Sequence, residues 1–388
     1  MNSPVDLLPP LKFIRGRFQF VKFLLDLYLF NCSLKIIDYR NILGGNMEAS
    51  INIEEKMRKE AFANYMPRTE VNKRGYHWVE REIERLDPYT HYEQIWALTT
   101  SYYYRDFILN VLYTLGMPAF TMAPKTSSML TDNTGQVLND QQFRLTETNH
   151  RFWQWFELGP SHPDVRRSLE TVNKIHMALN KKFPGHYPAR DFIYTCVWIA
   201  TGLHRVKLSV GARGFSEKQK IAAHLFWQSL CGQFRSQEGQ IEEFPESWDA
   251  MMRHAEEFED HPWAKSDSGR KLAEAITQQF NDAWLPRALH WAGRQFVLTL
   301  QTPRTREVMQ MANPNPIMSV LIRKAVWFVF TMKERVLPHS KLSTQEKARA
   351  KHVLAPTHKE PNMAKISQCP FHPNVTKKFI ARSASWWK

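Results

Sequence analysis

Between Phe192 and Leu203 the chain reads FIYTCVWIATGL, twelve residues without a charge. A helix that crosses a bilayer needs about 20 mostly apolar residues. This run is too short for that, so it is expected to be a helix at the centre of a protein core. Glycine is sparse, at 15 of 388 residues, and the long segments lack the alternation of a half-buried strand. Hydrophobic residues make up 43% and aromatics 13%, which argues against disorder. The expected class is all-α, a single large helical bundle.

The punctuation supports that class. Residues 51–86 are dense in charge and read as exposed helix, with Asn52 as a cap. Residues 90–115 read as one long aromatic helix, closed by Gly116-Met117-Pro118. A short helix and a turn at Thr131–Gly135 follow, then a helix over 140–158 that Gly159-Pro160 ends. Asp164 is placed to cap the next helix. Pro184–Pro188 is a loop, and Ser216 caps a helix over 216–234. Ser247–Phe258 is another helix. Residues 267–301 give one or two more, with Pro286 near the start of the second. Asn313-Pro314-Asn315-Pro316 is a rigid turn before a last core helix over 317–335.

Three regions are expected: an N-terminal amphipathic extension over 1–46, a helical domain over 47–335, and a basic tail over 336–388. Lys22, Asp26 and Lys35 interrupt the apolar start of the extension. It therefore reads as a segment that packs on the protein or lies on a membrane face, and any membrane attachment is expected to be peripheral. Net charge is +14, and residues 333–388 hold twelve Lys or Arg against three acids. Such a tail suits a solvated terminus or an anionic surface. It has no regular aromatic interleaving, so no nucleic acid is expected. Cys32, Cys196, Cys231 and Cys369 are scattered without a CxxC pair. Free thiols of this kind fit a reducing compartment. The expected location is cytoplasmic, with any contact on an internal membrane such as the endoplasmic reticulum.

The stretch VRRSLETVNKIHMALNKKF carries the first candidate for chemistry. Val165, Leu169, Val172, His176, Leu179 and Phe183 are spaced 4, 3, 4, 3 and 4, one stripe down a helix. The lone polar member, His176, is either a core histidine bonded to a neighbour or an imidazole aimed at a metal or haem iron. His290 is second, with Gly293 three residues on. That glycine either leaves room for a flat ligand or serves an ordinary helix–helix contact. His204 stands beside Arg205, where a contact at a helix C-terminus explains it as well. Glu157 ends an aromatic run. Buried there it would have a raised pKa and could act as a base; exposed, it is a helix-end acid. No Walker loop, GxGxxG, HExxH or GxSxG is present.

A set of segments in order resembles a known family. They are VLYTLGMPA (111–119), RLTET and WFELGP (within 144–160), NKIHMAL (173–179), FIYT (192–195) and FWQSLCGQF (226–234), then LPRALHWAGRQF (285–296) and NPNPIMSVLIRKAVWF (313–328). CPFH at 369–372 is similar to the end of fungal members. The pattern, over about residues 90–330, resembles the MpaB-type oxygenases and bacterial rubber oxygenases (latex-clearing proteins), all-helical haem b proteins. Fungal members cleave a prenyl side chain oxidatively, and bacterial ones cut polyisoprene at its double bonds. The resemblance implies a haem pocket between core helices, with His176 at the iron-ligand position and Glu157 as catalytic base. His290 matches a histidine of the fungal type, with Gly293 beside it. The family's arginine three residues before the ligand is Asn173 here. Cys196 is near the place of a second histidine in many bacterial members.

The implied function is a haem b-dependent oxygenase acting on an apolar, isoprenoid-like small molecule. The alternative is a catalytically silent helical protein of the same fold that binds a lipid or a partner.

Overall fold

The computed structural model describes residues 71–133, 136–139, 141–186 and 188–347. The expected extension over 1–46, the cap at Asn52 and the tail beyond 347, including CPFH, lie outside the described residues. Apart from one two-stranded antiparallel pair, β1 (Arg235–Ser236) and β2 (Gly239–Gln240), the described regular structure is helical, so the fold is all-α. Among the described residues no helix is long and apolar enough to cross a membrane.

Two helices occupy the middle. One is α3 (Asp106–Phe120), buried at every position from Ile108 to Ala119. It follows α1 (Trp78–Arg85) and α2 (Tyr92–Tyr103). The other contains the uncharged run. After α4 (Pro124–Ser128), a π turn (Met129–Asn133), α5 (Gln136–Asn139), α6 (Gln141–Leu158) and α7 (Pro163–Lys182) comes α8 (Ala189–Ser209), buried from Cys196 through His204. α8 packs directly against α3. Around this pair stand α9 (Glu217–Cys231), α10 (Trp248–Asp260), α11 (Asp267–Trp284), α12 (His290–Leu300), the short α13 (Pro303–Val308) and α14 (Pro316–Arg335). α9 lies on α2 and α8, α10 on α8, α11 on α3, and α12 between α11 and α14. Residues 73–347 belong to one compact unit.

Several termini follow the sequence. Ser216 caps α9 in a full capping box, its hydroxyl accepting from the Gln219 amide while the Gln219 side chain accepts from the Ser216 amide. Ser247 and Ser266 cap α10 and α11, and Asn315 caps α14 with Pro316 at the first helical position.

Other termini differ, each for a physical reason. The expected helix over 90–115 is two helices with an extended break at Tyr104–Arg105. The carbonyls there find partners: Lys333 Nζ donates to Tyr103 O (3.0 Å) and Thr344 Oγ1 to Tyr104 O (2.6 Å). Gly116-Met117-Pro118 does not end a helix, because α3 continues to Phe120. Gly116 instead admits Trp198 of α8: a Cβ there would lie 2.9 Å from the indole. Asp164 is not the cap of α7. His162 is, with its Nδ1 accepting from the Asp164 amide at 3.1 Å and Pro163 opening the helix.

Candidate functional site

α7 brings the first candidates together. Its fully buried line is Val165, Leu169 and Asn173. Val172, His176 and Leu179 lie at the half-buried border. The line can turn onto Asn173 because both ends of that amide are bonded. Its Nδ2 donates to Gln233 O (2.8 Å) and its Oδ1 accepts from the Arg235 amide (3.0 Å), which ties α7 to the start of β1. One turn further on, the His176 ring packs against Phe192 of α8 with centroids 5.3 Å apart. Phe192 packs in turn on Phe234 at 5.7 Å.

α6 supplies the charge around this histidine. Arg144 and Arg151 are seven residues apart, two turns along one helix face. Burial pulls the His176 pKa down to about 3, and the positive charges of Arg144 and Arg151 push in the same direction. The imidazole is therefore neutral at physiological pH, the form that ligates metals. Tyr113 of α3 completes the corner. Burial pushes its phenol up, and the Arg144 guanidinium beside it works the other way. A neutral imidazole thus lies within electrostatic reach of two guanidiniums. The first can give a lone pair to a metal, and the others present forked donors suited to carboxylates.

Glu157 is half-buried near the end of α6, directly after the buried Trp155 and Phe156. Cys196 is buried on α8 beside Cys231 of α9, and both are free thiols. Burial holds the Cys196 thiol well above its ordinary range, and its neighbour adds to the effect, so it is a neutral thiol and not a thiolate.

His290 stands on another part of the bundle, at the start of α12. Its Nε2 lies 3.2 Å from Leu285 O and 3.8 Å from an Asp282 carboxylate oxygen, so the ring closes the end of α11. The room beside Gly293 is taken by protein: a Cβ there would lie 2.1 Å from Asn281 Oδ1 and 2.2 Å from Leu285 Cδ1. His204 is likewise not at a helix end. It is buried within α8, and its Nδ1 accepts from the Phe215 amide at 2.8 Å. An apolar cavity of about 40 Å³ lies between α3, α8, α12 and α14, lined by Val111, Leu203, Phe296 and Phe330 among others. Glu157, Asn173, His176, Cys196, His290 and Gly293 do not line it.

Arg144, Arg151 and Tyr113 were not singled out from the sequence. The seven-residue spacing of the arginines was the available signal, but nothing in the sequence turns that face toward His176. No protein-family model matches the chain, and no curated protein matches it.

Proposed function

We propose that the chain is a haem b-dependent oxygenase of the MpaB and rubber-oxygenase kind, acting on an apolar isoprenoid-like substrate. The observation that carries the reading is the half-buried, neutral His176 on α7, within electrostatic reach of Arg144 and Arg151. This donor set fits haem b, with an imidazole for the iron and guanidiniums for the two propionates. Haem, when bound, supplies the activation of dioxygen.

The remaining roles belong to the chain. His176 holds the cofactor, and Asn173 fixes α7 against β1 so that His176 keeps its place. Phe192 packs on the His176 ring and on Phe234, and Trp155 packs on Phe234 as well, an apolar surface that suits an alkene and keeps water away. Glu157 accepts a proton from the substrate.

The test is the haem content and absorption spectrum of protein expressed with ample haem, compared with His176→Ala and Glu157→Gln. His176→Ala is expected to lose most of the haem. Glu157→Gln is expected to keep it while turnover of an isoprenoid substrate falls.

A second reading, a silent lipid- or partner-binding protein of the same fold, is favoured by Asn173. Where the family carries an arginine, this side chain is spent on backbone bonds. A folded, colourless protein that takes up a fatty acid or an isoprenoid would support that reading.

A further inference from the structure

The first and last described parts of the chain meet beside α1. The His339 amide donates to Tyr76 O (2.7 Å), the Trp78 indole donates to Ser340 O (3.2 Å), and Lys73 Nζ donates to Lys341 O (3.0 Å). These bonds fix the segment after α14 along the entry to α1. They also bring His339 against His77, the N-cap of α1, with the two rings edge to face at 5.3 Å. Glu80, one turn into α1 from His77, completes a group of three. One ligand atom from each of His77, Glu80 and His339 lies within 4.8 Å of the others.

We propose that His77, Glu80 and His339 bind a single divalent first-row transition metal ion, which clasps the entry of α1 onto the segment that follows α14. Two imidazoles and one carboxylate suit zinc and its neighbours better than magnesium or calcium, which prefer all-oxygen sites. Around a tetrahedral zinc with bonds of about 2.0–2.2 Å, ligand atoms stand about 3.4 Å apart. His77 Nδ1 and Glu80 Oε2 are already 3.4 Å apart. The other carboxylate oxygen accepts from the Tyr103 hydroxyl at 3.1 Å, the outer bond that orients a metal-binding carboxylate. His77 Nδ1 and His339 Nε2 are buried ring nitrogens that make no hydrogen bond. His77 and Glu80 keep 35% and 44% of their side-chain surface exposed, which leaves a path for the ion and for water to complete its coordination.

Three features oppose the ion. The positive end of α1 is near. Lys333 is close as well, but burial holds its amine well below the usual lysine range, which removes much of its repulsion. His339 Nδ1 also accepts from the Val79 amide at 3.3 Å. Ligation through Nε2 puts the ring proton on Nδ1 and gives up this long, weak bond.

The site makes no use of the haem reading and is tested apart from it. The untagged full chain, stripped by a chelator and dialysed at neutral pH, is titrated with zinc sulfate by calorimetry, and its melting temperature is followed. One saturable zinc per chain and a melting temperature raised by several degrees are expected. Glu80→Gln, which can keep the Tyr103 bond, and His339→Gln are expected to weaken zinc binding at least about tenfold. Chelator-treated variants that melt like the parent establish that they fold. If His339→Gln does not fold, Glu80→Gln decides alone. No saturable zinc, or equal binding by the parent and Glu80→Gln, overturns the proposal; in the second case the metal lies elsewhere, an adventitious ion only.

Discussion

Glu259 near the end of α10 accepts from three donor atoms within the core, and its removal is expected to be costly. Its carboxylate accepts from Arg205 Nη1 at 2.6 Å and Nη2 at 2.8 Å, and from the Tyr194 hydroxyl at 2.8 Å. The Glu259 side chain is 7% exposed and that of Arg205 19%. Burial alone would pull the Arg205 guanidinium down, but Glu259 holds it above its ordinary value. Glu259→Ala strands that guanidinium and the Tyr194 hydroxyl together. Breaking a buried pair from one side costs about 3–5 kcal/mol, a large share of a total stability of about 5–15 kcal/mol. Tyr194→Phe removes one bond to a charged acceptor and is expected to cost about 1.5–3 kcal/mol. Its ring should keep the stack on Phe258, whose centroid is 3.8 Å away. The double variant Arg205→Met with Glu259→Leu leaves no charge stranded, so it is expected to cost less than Glu259→Ala alone. Urea unfolding with linear extrapolation reads all three. A Glu259→Ala cost below about 1 kcal/mol, or a double variant at least as costly as Glu259→Ala, would refute the reasoning.

Three further outcomes follow from other contacts. Gly293→Ala gains about 1 kcal/mol of helix propensity but must move Asn281 and Leu285, an overpacking cost of about 1–3 kcal/mol or more. A net fall in melting temperature is expected, and a rise would mean the space is open. Asn173→Ala should cost about 2–4 kcal/mol, because Gln233 O and the Arg235 amide lose their partner; an unchanged urea midpoint would contradict this. For His204, burial first and then Lys220 and Lys207 pull the folded pKa from 6.5 to about 4. The folded state therefore binds this proton less readily than the unfolded chain. Its contribution is complete above pH 6.5 and fades as pH falls toward about 4. The loss of stability across that window should be shallower in His204→Asn than in the parent, and identical slopes would rule His204 out.

Where one segment contains both halves of a contact, the sequence was readable. Ser216 and Gln219 spell their capping box three residues apart, and Asn315-Pro316 announces α14. The uncharged run of α8 is central because twelve mostly apolar residues without a charge have nowhere else to go. Where the partner comes from far along the chain, the reading failed. The break at Tyr104 depends on Lys333 and Thr344. Gly116 and Pro118 look like a stop until Trp198 is set beside them. On α7, His176 was visible by period, but its line of burial passes through Asn173, whose partners are backbone atoms at 233 and 235. The guanidiniums beside His176 come from α6, and His339 meets His77 from the far end of the described chain.

The central claim is that His176 holds a haem. It is tested most directly by pyridine haemochrome analysis of the full chain and of His176→Ala, both expressed with ample haem and matched in folding by circular dichroism. About one haem b per chain is expected in the parent, with most of it lost in His176→Ala. A parent that is folded and colourless, or a His176→Ala variant with unchanged haem content and spectrum, would contradict the account.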